Sequence, residues 1–91
     1  LKERSVLLGR DDDATLELDS PIVSRRHATI EPDGQGQYIL RDLSMNGVFV
    51  NSQRVEGSAL LPEGATIRVG PFTLVRRGDQ LEVLDRGNQI R

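Results

Sequence analysis

The chain has 91 residues, 36% of them hydrophobic and 29% charged, with a formal net charge of -2. That is enough for one domain around a modest core and too little for two. It contains no Cys and a single His, His27, which excludes disulfides, thiolate metal sites and a multi-histidine metal site. No apolar run approaches the roughly 20 residues a helix needs to cross a bilayer. No secretory pattern appears at the start, and the slightly acidic balance argues against a general nucleic-acid binder. With neither Cys nor an export signal, the expected compartment is the cytoplasm. The first residue is Leu1, and the chain is read as a piece of a longer protein.

Taken in order, the apolar residues alternate with polar ones in short runs. Residues 5–8 read as a strand stopped by Gly9. Residues 15–18 read as a second, ending at Asp19-Ser20-Pro21. A third covers residues 27–31 and runs into the turn signal Pro32-Asp33-Gly34. A fourth covers 37–42 and ends near Asn46-Gly47, a strong turn dipeptide. Val48-Phe49-Val50 is a short apolar strand, and 51–57 reads as a hairpin-like excursion. Residues 60–64 read as a turn into a strand at 66–69, stopped by Gly70-Pro71. Two more strands, 72–76 and 81–84, flank Arg77-Gly78-Asp79, with Arg76 and Arg77 read as a solvated strand end. No window has helical periodicity. About eight or nine short, closely spaced strands pack most naturally as a two-sheet sandwich. The core must come from Val, Leu and Ile, because Tyr38, Phe49 and Phe72 are the only aromatics.

In such a scaffold the loops carry function, and three turns hold concentrated polar chemistry. Gly9-Arg10 follows an apolar strand directly. The Gly lets the chain leave the sheet sharply, and the Arg fork suits an oxyanion. Ser24-Arg25-Arg26-His27 puts a hydroxyl and two guanidiniums just before a strand. The two His27 ring nitrogens can tie neighbouring loops together. Asp42-Leu43-Ser44-Met45-Asn46-Gly47 offers an amide that can grip a peptide backbone, and Asn51 is placed to brace an adjacent loop.

This ordered set resembles the forkhead-associated (FHA) domain: Gly9-Arg10, then Ser24-Arg25-x-His27, then Asp42-x-Ser44-x-Asn46-Gly47-x-x-x-Asn51. Residues 19–23 and 60–70 also look like the family's approach loop and late hairpin, so the likeness spans about 6–75. It implies an all-β, two-sheet antiparallel sandwich over 1–86 with its binding loops at one end. Residues 87–91 would begin a linker, and they resemble the junction to a transporter ATP-binding domain. The implied activity is not enzymatic. The domain would be an adaptor within a larger signalling or regulatory protein, and its partner a threonine-phosphorylated protein segment. No cofactor, nucleic acid or membrane insertion is implied. By the same resemblance, Arg10, Ser24 and Arg25 hold the phosphate, while Met45 and Asn46 meet the peptide. Gly9, His27, Gly47 and Asn51 support the site.

Three departures qualify the match, one of them Val48, which stands where the family commonly has Thr and is expected to change only packing. Met45 stands where the family often has a hydroxyl residue, keeping an N–H but losing an O–H. The strand that usually precedes Gly-Arg is short or missing, since only residues 1–4 lie before Ser5. A phosphate brings about -1.5 to -2 charge and three acceptor oxygens. Two or three charge-assisted bonds, less the cost of ordering the peptide, suggest micromolar affinity, on the order of -8 kcal/mol.

Alternative readings of the same residues are a phospho-independent docking or self-association surface on the same fold and a Ser24-His27-Asp42 hydrolase triad. Further alternatives are a nucleic-acid patch of Arg10, Arg25, Arg26, Arg41 and Arg54, and a cation site at Asp11-Asp12-Asp13. The triad lacks a nucleophile elbow, the patch lacks aromatic platforms, and three adjacent Asp in a loop suit a solvated turn.

Overall fold

Alternating side chains sort themselves to opposite faces of a strand, and the computed structural model, which describes residues 4–87, follows that rule closely. Its strands are β1 (Val6–Gly9), β2 (Leu16–Glu17), β3 (Ala28–Pro32), β4 (Tyr38–Asp42) and β5 (Val48–Val50), followed by β6 (Gln53–Arg54), β7 (Ser58–Leu60), β8 (Thr66–Val69), β9 (Phe72–Arg77) and β10 (Gln80–Asp85). The first sheet runs β2-β1-β3-β4-β7 and the second β10-β9-β8-β5-β6. Between them lie Leu8, Leu18, Ile30, Leu40, Leu61, Ile67 and Leu74, all fully enclosed. Burying each such side chain contributes about 1.5–3 kcal/mol, so the aliphatic core supports the domain with little aromatic help. Pairing is antiparallel throughout except for β1 and β2, which run parallel over two residue pairs.

The structure refines the sequence-based strands in three places. The 51–57 excursion contains one strand, β6, and a second, β7, follows directly after it. Asn51 and Ser52 adopt positive φ (49° and 69°) and fold β6 back onto β5, as a two-residue hairpin requires. The chain then crosses to the first sheet, where β7 pairs with β4 and takes in Leu60. Strands of two or three residues are too short to show a period, which is why alternation misses them.

Arg76 is the third difference, for it does not sit in solvent. Its guanidinium lies 4.6 Å over the Tyr38 ring, and its Nη1 donates to the Leu61 carbonyl at 3.0 Å. It closes one edge of the core by a cation–π contact. Arg77 does face solvent, paired with Glu82 at 2.7 Å. The short first strand and the linker expected at the two ends fall largely on residues 1–3 and 88–91, outside the described residues.

Strand register decides where the loops gather. Leu8 pairs with Ala28, and Ala28 with Asp42. The end of β1, the start of β3 and the end of β4 therefore lie side by side. Val48 pairs with Val69, which brings the turn at Gly70 to the same end from the second sheet. All three polar turns open on that one rim.

Candidate functional site

Each rim loop is held by hydrogen bonds between segments far apart in sequence. Gly9 ends β1 with the Arg25 carbonyl pressed against its Cα. A Cβ at this position would fall on that carbonyl, so only glycine permits the approach. Beyond it, Arg10 N–H donates to the Ser24 carbonyl at 3.0 Å and Asp11 N–H to the Arg25 carbonyl at 3.2 Å. The Arg10 side chain is half-buried and spends its Nε–H on the Val23 carbonyl, 2.8 Å away. Among the described residues, nothing takes the remaining four N–H donors of the fork.

His27 is fully buried, the one polar residue in the core among the described residues. Its Nδ1 accepts the Ser24 N–H at 3.0 Å, so Nε2 carries the hydrogen and donates to the Gly47 carbonyl at 2.9 Å. One ring thus joins the second polar turn to the third. Buried polar atoms need partners, and both ring nitrogens have one.

The third turn is built around Asp42 and Ser44. The Asp42 carboxylate accepts the Ser44 N–H at 2.8 Å and the Ser44 hydroxyl at 2.6 Å. Ser44 Oγ in turn accepts the Gly47 N–H at 2.7 Å. Gly47 sits at φ 97°, where a side chain would be strained. Met45 N–H donates to Ser24 Oγ at 3.0 Å, and Asn46 Nδ2 donates to the Ile22 carbonyl at 2.9 Å.

The outcome is an open depression of about 280 Å³ lined by Arg10, Ser24, Arg25, Met45 and Asn46, together with residues 21–23. All five residues read as ligand-contacting line this one depression, though they come from three separate loops. Arg25 is exposed and, among the described residues, makes no side-chain hydrogen bond or ion pair. Ser24 Oγ uses a lone pair on Met45 and keeps its O–H to donate. The Met45 N–H, expected to be available to a ligand, is instead engaged by Ser24. The Met45 side chain projects into solvent, 87% exposed.

Of the four supporting residues, Gly9, His27 and Gly47 act at this rim, whereas Asn51 lies at the far end of β5. There its Oδ1 accepts the Thr66 N–H at 3.0 Å and draws in the Thr66 hydroxyl at 3.4 Å. It pins the β5–β6 turn to the start of β8, away from the depression. The Asp42–Ser44 clasp and a contact of Ile22 and Val23 with Gly70 were not singled out from sequence. The Asp-x-Ser spacing was the available signal for the clasp.

The competing readings meet different geometry. The Ser24 hydroxyl does not touch His27, and Asp42 is bound to Ser44, so the three side chains form no relay. Arg41 pairs with Glu31 at 3.3 Å on β4, apart from the rim arginines. At Asp11 the chain simply turns, with Ala14 N–H on the Asp11 carbonyl. Among the described residues no three acidic or His side chains converge on a metal-sized space, and no helix is long and apolar enough to cross a membrane.

A two-sheet sandwich with a cationic, cross-braced loop cluster at one end has the architecture of an FHA domain. The chain belongs to the FHA-domain family, whose profile matches residues 6–70. It is 37% identical over 77 residues to the FHA domain-containing protein FhaB of Mycolicibacterium smegmatis, covering 85% of this chain and 50% of that protein. The chain thus spans about half the length of this relative. Among solved structures it is similar to the FHA-2 domain of the Mycobacterium tuberculosis ABC transporter Rv1747, with a TM-score of 0.77 and 36% identity over 88% of this chain and 73% of that one. It is also similar to the N-terminal FHA domain of S. cerevisiae Rad53p, solved in complex with a phosphothreonine peptide. There the TM-score is 0.70 and the identity 28%, over 90% of this chain and 65% of that one.

The close approach at Gly9 gives a direct test of the loop architecture. Gly9→Ala forces the Arg25 backbone outward. Overpacking of this kind costs about 1–3 kcal/mol. The variant should unfold at lower denaturant concentration, and Arg25 should be displaced from the depression. An unshifted denaturation midpoint would show that the loop yields freely.

Proposed function

We propose that this domain binds a phosphothreonine-bearing protein segment and acts as a non-enzymatic adaptor. The observation that carries the reading is the shared depression: the Arg10 fork, the Arg25 guanidinium and the Ser24 hydroxyl all face one open space. A phosphate there receives charge-assisted hydrogen bonds, each contributing about 1.5–3 kcal/mol. Asn46 keeps its amide oxygen and one N–H for the peptide backbone. The Arg10 fork and the Ser24 hydroxyl are held in place before a ligand arrives, which reduces the cost of ordering them. Rad53p, a structural neighbour, was solved with such a ligand, and this supports extending the reading to the present chain. Threonine over serine would follow from the extra methyl, worth about 1–3 kcal/mol in a shaped pocket.

The domain is further read as one module of a larger cytoplasmic protein, with a transporter ATP-binding subunit as one arrangement, in line with its likeness to a domain of Rv1747. The test is a paired titration with a phosphothreonine peptide and its unphosphorylated twin. Micromolar binding of the phosphorylated form alone is the expected result. Equal binding of both would replace this reading with phospho-independent docking.

Met45 supplies a second, finer test. Met45→Thr adds a hydroxyl donor at the rim while leaving the main-chain bond to Ser24 in place. One extra hydrogen bond contributes about 0.5–1.5 kcal/mol, so phosphopeptide affinity should rise about two- to tenfold by calorimetric titration. Unchanged or weaker binding would mean that position 45 does not face the anion.

A further inference from the structure

The second sheet carries an outward row that the core does not use. Register aligns Arg54, Phe49, Arg68, Thr73 and Asp85 across β6, β5, β8, β9 and β10. Val48, Val50, Ile67, Val69 and Leu74 point inward from the same strands, so this row faces solvent. Tyr38 and Phe72 are buried, whereas Phe49 is only half-buried and lines a groove of about 410 Å³ with Arg68 and Thr73. Arg54 is exposed and, among the described residues, its side chain makes no hydrogen bond or ion pair. Among the described residues Arg68 spends only its Nε–H, on the Gly70 carbonyl at 3.2 Å.

This surface adjoins the loop rim at two points. The Arg54 guanidinium lies against Gly47, its Cζ 3.1 Å from where a Cβ would stand. Gly70 packs against Ile22 and Val23, which line the depression. Charge separates the two flanks of the site. Asp11-Asp12-Asp13 follow Arg10 on the first-sheet side, where the Asp11 N–H meets the Arg25 carbonyl. Arg54 and Arg68 lie on the second-sheet side. Asp85 closes the row at its far edge, so an acidic ligand fits only the Arg54–Arg68 half.

We propose that the Arg54–Phe49–Arg68 surface is a second recognition element, which takes an acidic stretch carrying an apolar residue from the same phosphorylated partner. The proposal rests on the phosphothreonine reading. A chain with its phosphate in the depression would pass Gly47, pair its carboxylates with Arg54 and Arg68, and lay its apolar side chain on Phe49. Exposed ion pairs are individually weak and screened by salt, so the surface adds selectivity to a binding event anchored elsewhere.

The test uses three phosphothreonine peptides of equal length in fluorescence-anisotropy titrations. One has alanine flanks, one an Asp-Leu-Glu stretch before the phosphothreonine, and one the same stretch after it. One of the two acidic peptides should bind about fivefold tighter than the alanine peptide. The Arg54→Glu, Arg68→Glu double variant should lose that advantage and still bind the alanine peptide at wild-type strength, which also shows it to be folded. If neither acidic peptide gains, or the gain survives both charge reversals, the second surface is refuted while the phosphate site stands. If the alanine peptide fails to bind the wild type, the phosphothreonine reading fails and the second surface falls with it. A wild-type dimer in sedimentation that the double variant abolishes would assign this face to a second copy and overturn the proposal.

Discussion

Arg10→Ala should abolish measurable binding of phosphothreonine peptides. The side chain has two tasks: Nε–H fixes the Val23 carbonyl at 2.8 Å, and the rest of the fork faces the depression. Losing two charge-assisted bonds removes about 3 kcal/mol or more, a loss of over a hundredfold from an affinity that starts near micromolar. Arg10→Lys makes the argument sharper. An ammonium retains the charge but cannot hold Val23 and present a planar fork together, so binding should be recovered only in part. Calorimetric titration of wild type and both variants against one phosphopeptide decides the matter. Arg10→Ala binding at wild-type strength would reject the assigned site.

His27→Ala should be the most destabilising single change at the rim. The imidazole is wholly buried and satisfies the Ser24 N–H and the Gly47 carbonyl. Removing it strands a part-buried donor and a buried acceptor, the latter costing about 1–3 kcal/mol, and leaves a cavity as well. A total near 3 kcal/mol lowers the melting temperature of a domain this size by on the order of 15 °C. Phosphopeptide binding should weaken too, since the same ring joins two of the three loops. An unchanged melting temperature would show that the ring contributes no net stability.

The fold was legible in sequence because period-two alternation is a direct consequence of the pleat. Residues 28–31 and 66–69 announce themselves this way, while 6–8 and 38–40 stand out as short apolar runs near turn residues. The strands that escaped are those with no room for a period: Gln53–Arg54 and Ser58–Leu60. Asn51 and Ser52 also make their positive-φ turn without a glycine. The members of the site were legible as polar clusters in turns. Their partners were not, because Arg10, Met45 and Asn46 bond to groups 13, 21 and 24 residues away, and most of those groups are main-chain carbonyls that no residue type reveals. Asn51 was read as a brace for an adjacent loop, and the partner it takes, the Thr66 N–H, is likewise a main-chain group that the sequence does not name. Arg76 looked like surface charge, since a sequence does not show which arginine will find a tyrosine face.

Much of the rim is tied together through backbone atoms: the carbonyls of Ile22, Val23 and Gly47 and the N–H groups of Ser24, Met45 and Gly47. Met45 therefore contributes to the frame without using its side chain, which stands outside at 87% exposure, whereas the Ile22 side chain also packs on Gly70. Architecture and partner choice are in this way written on separable atoms. Drift or directed evolution can rewrite position 45 to suit a new client while the scaffold beneath keeps its shape.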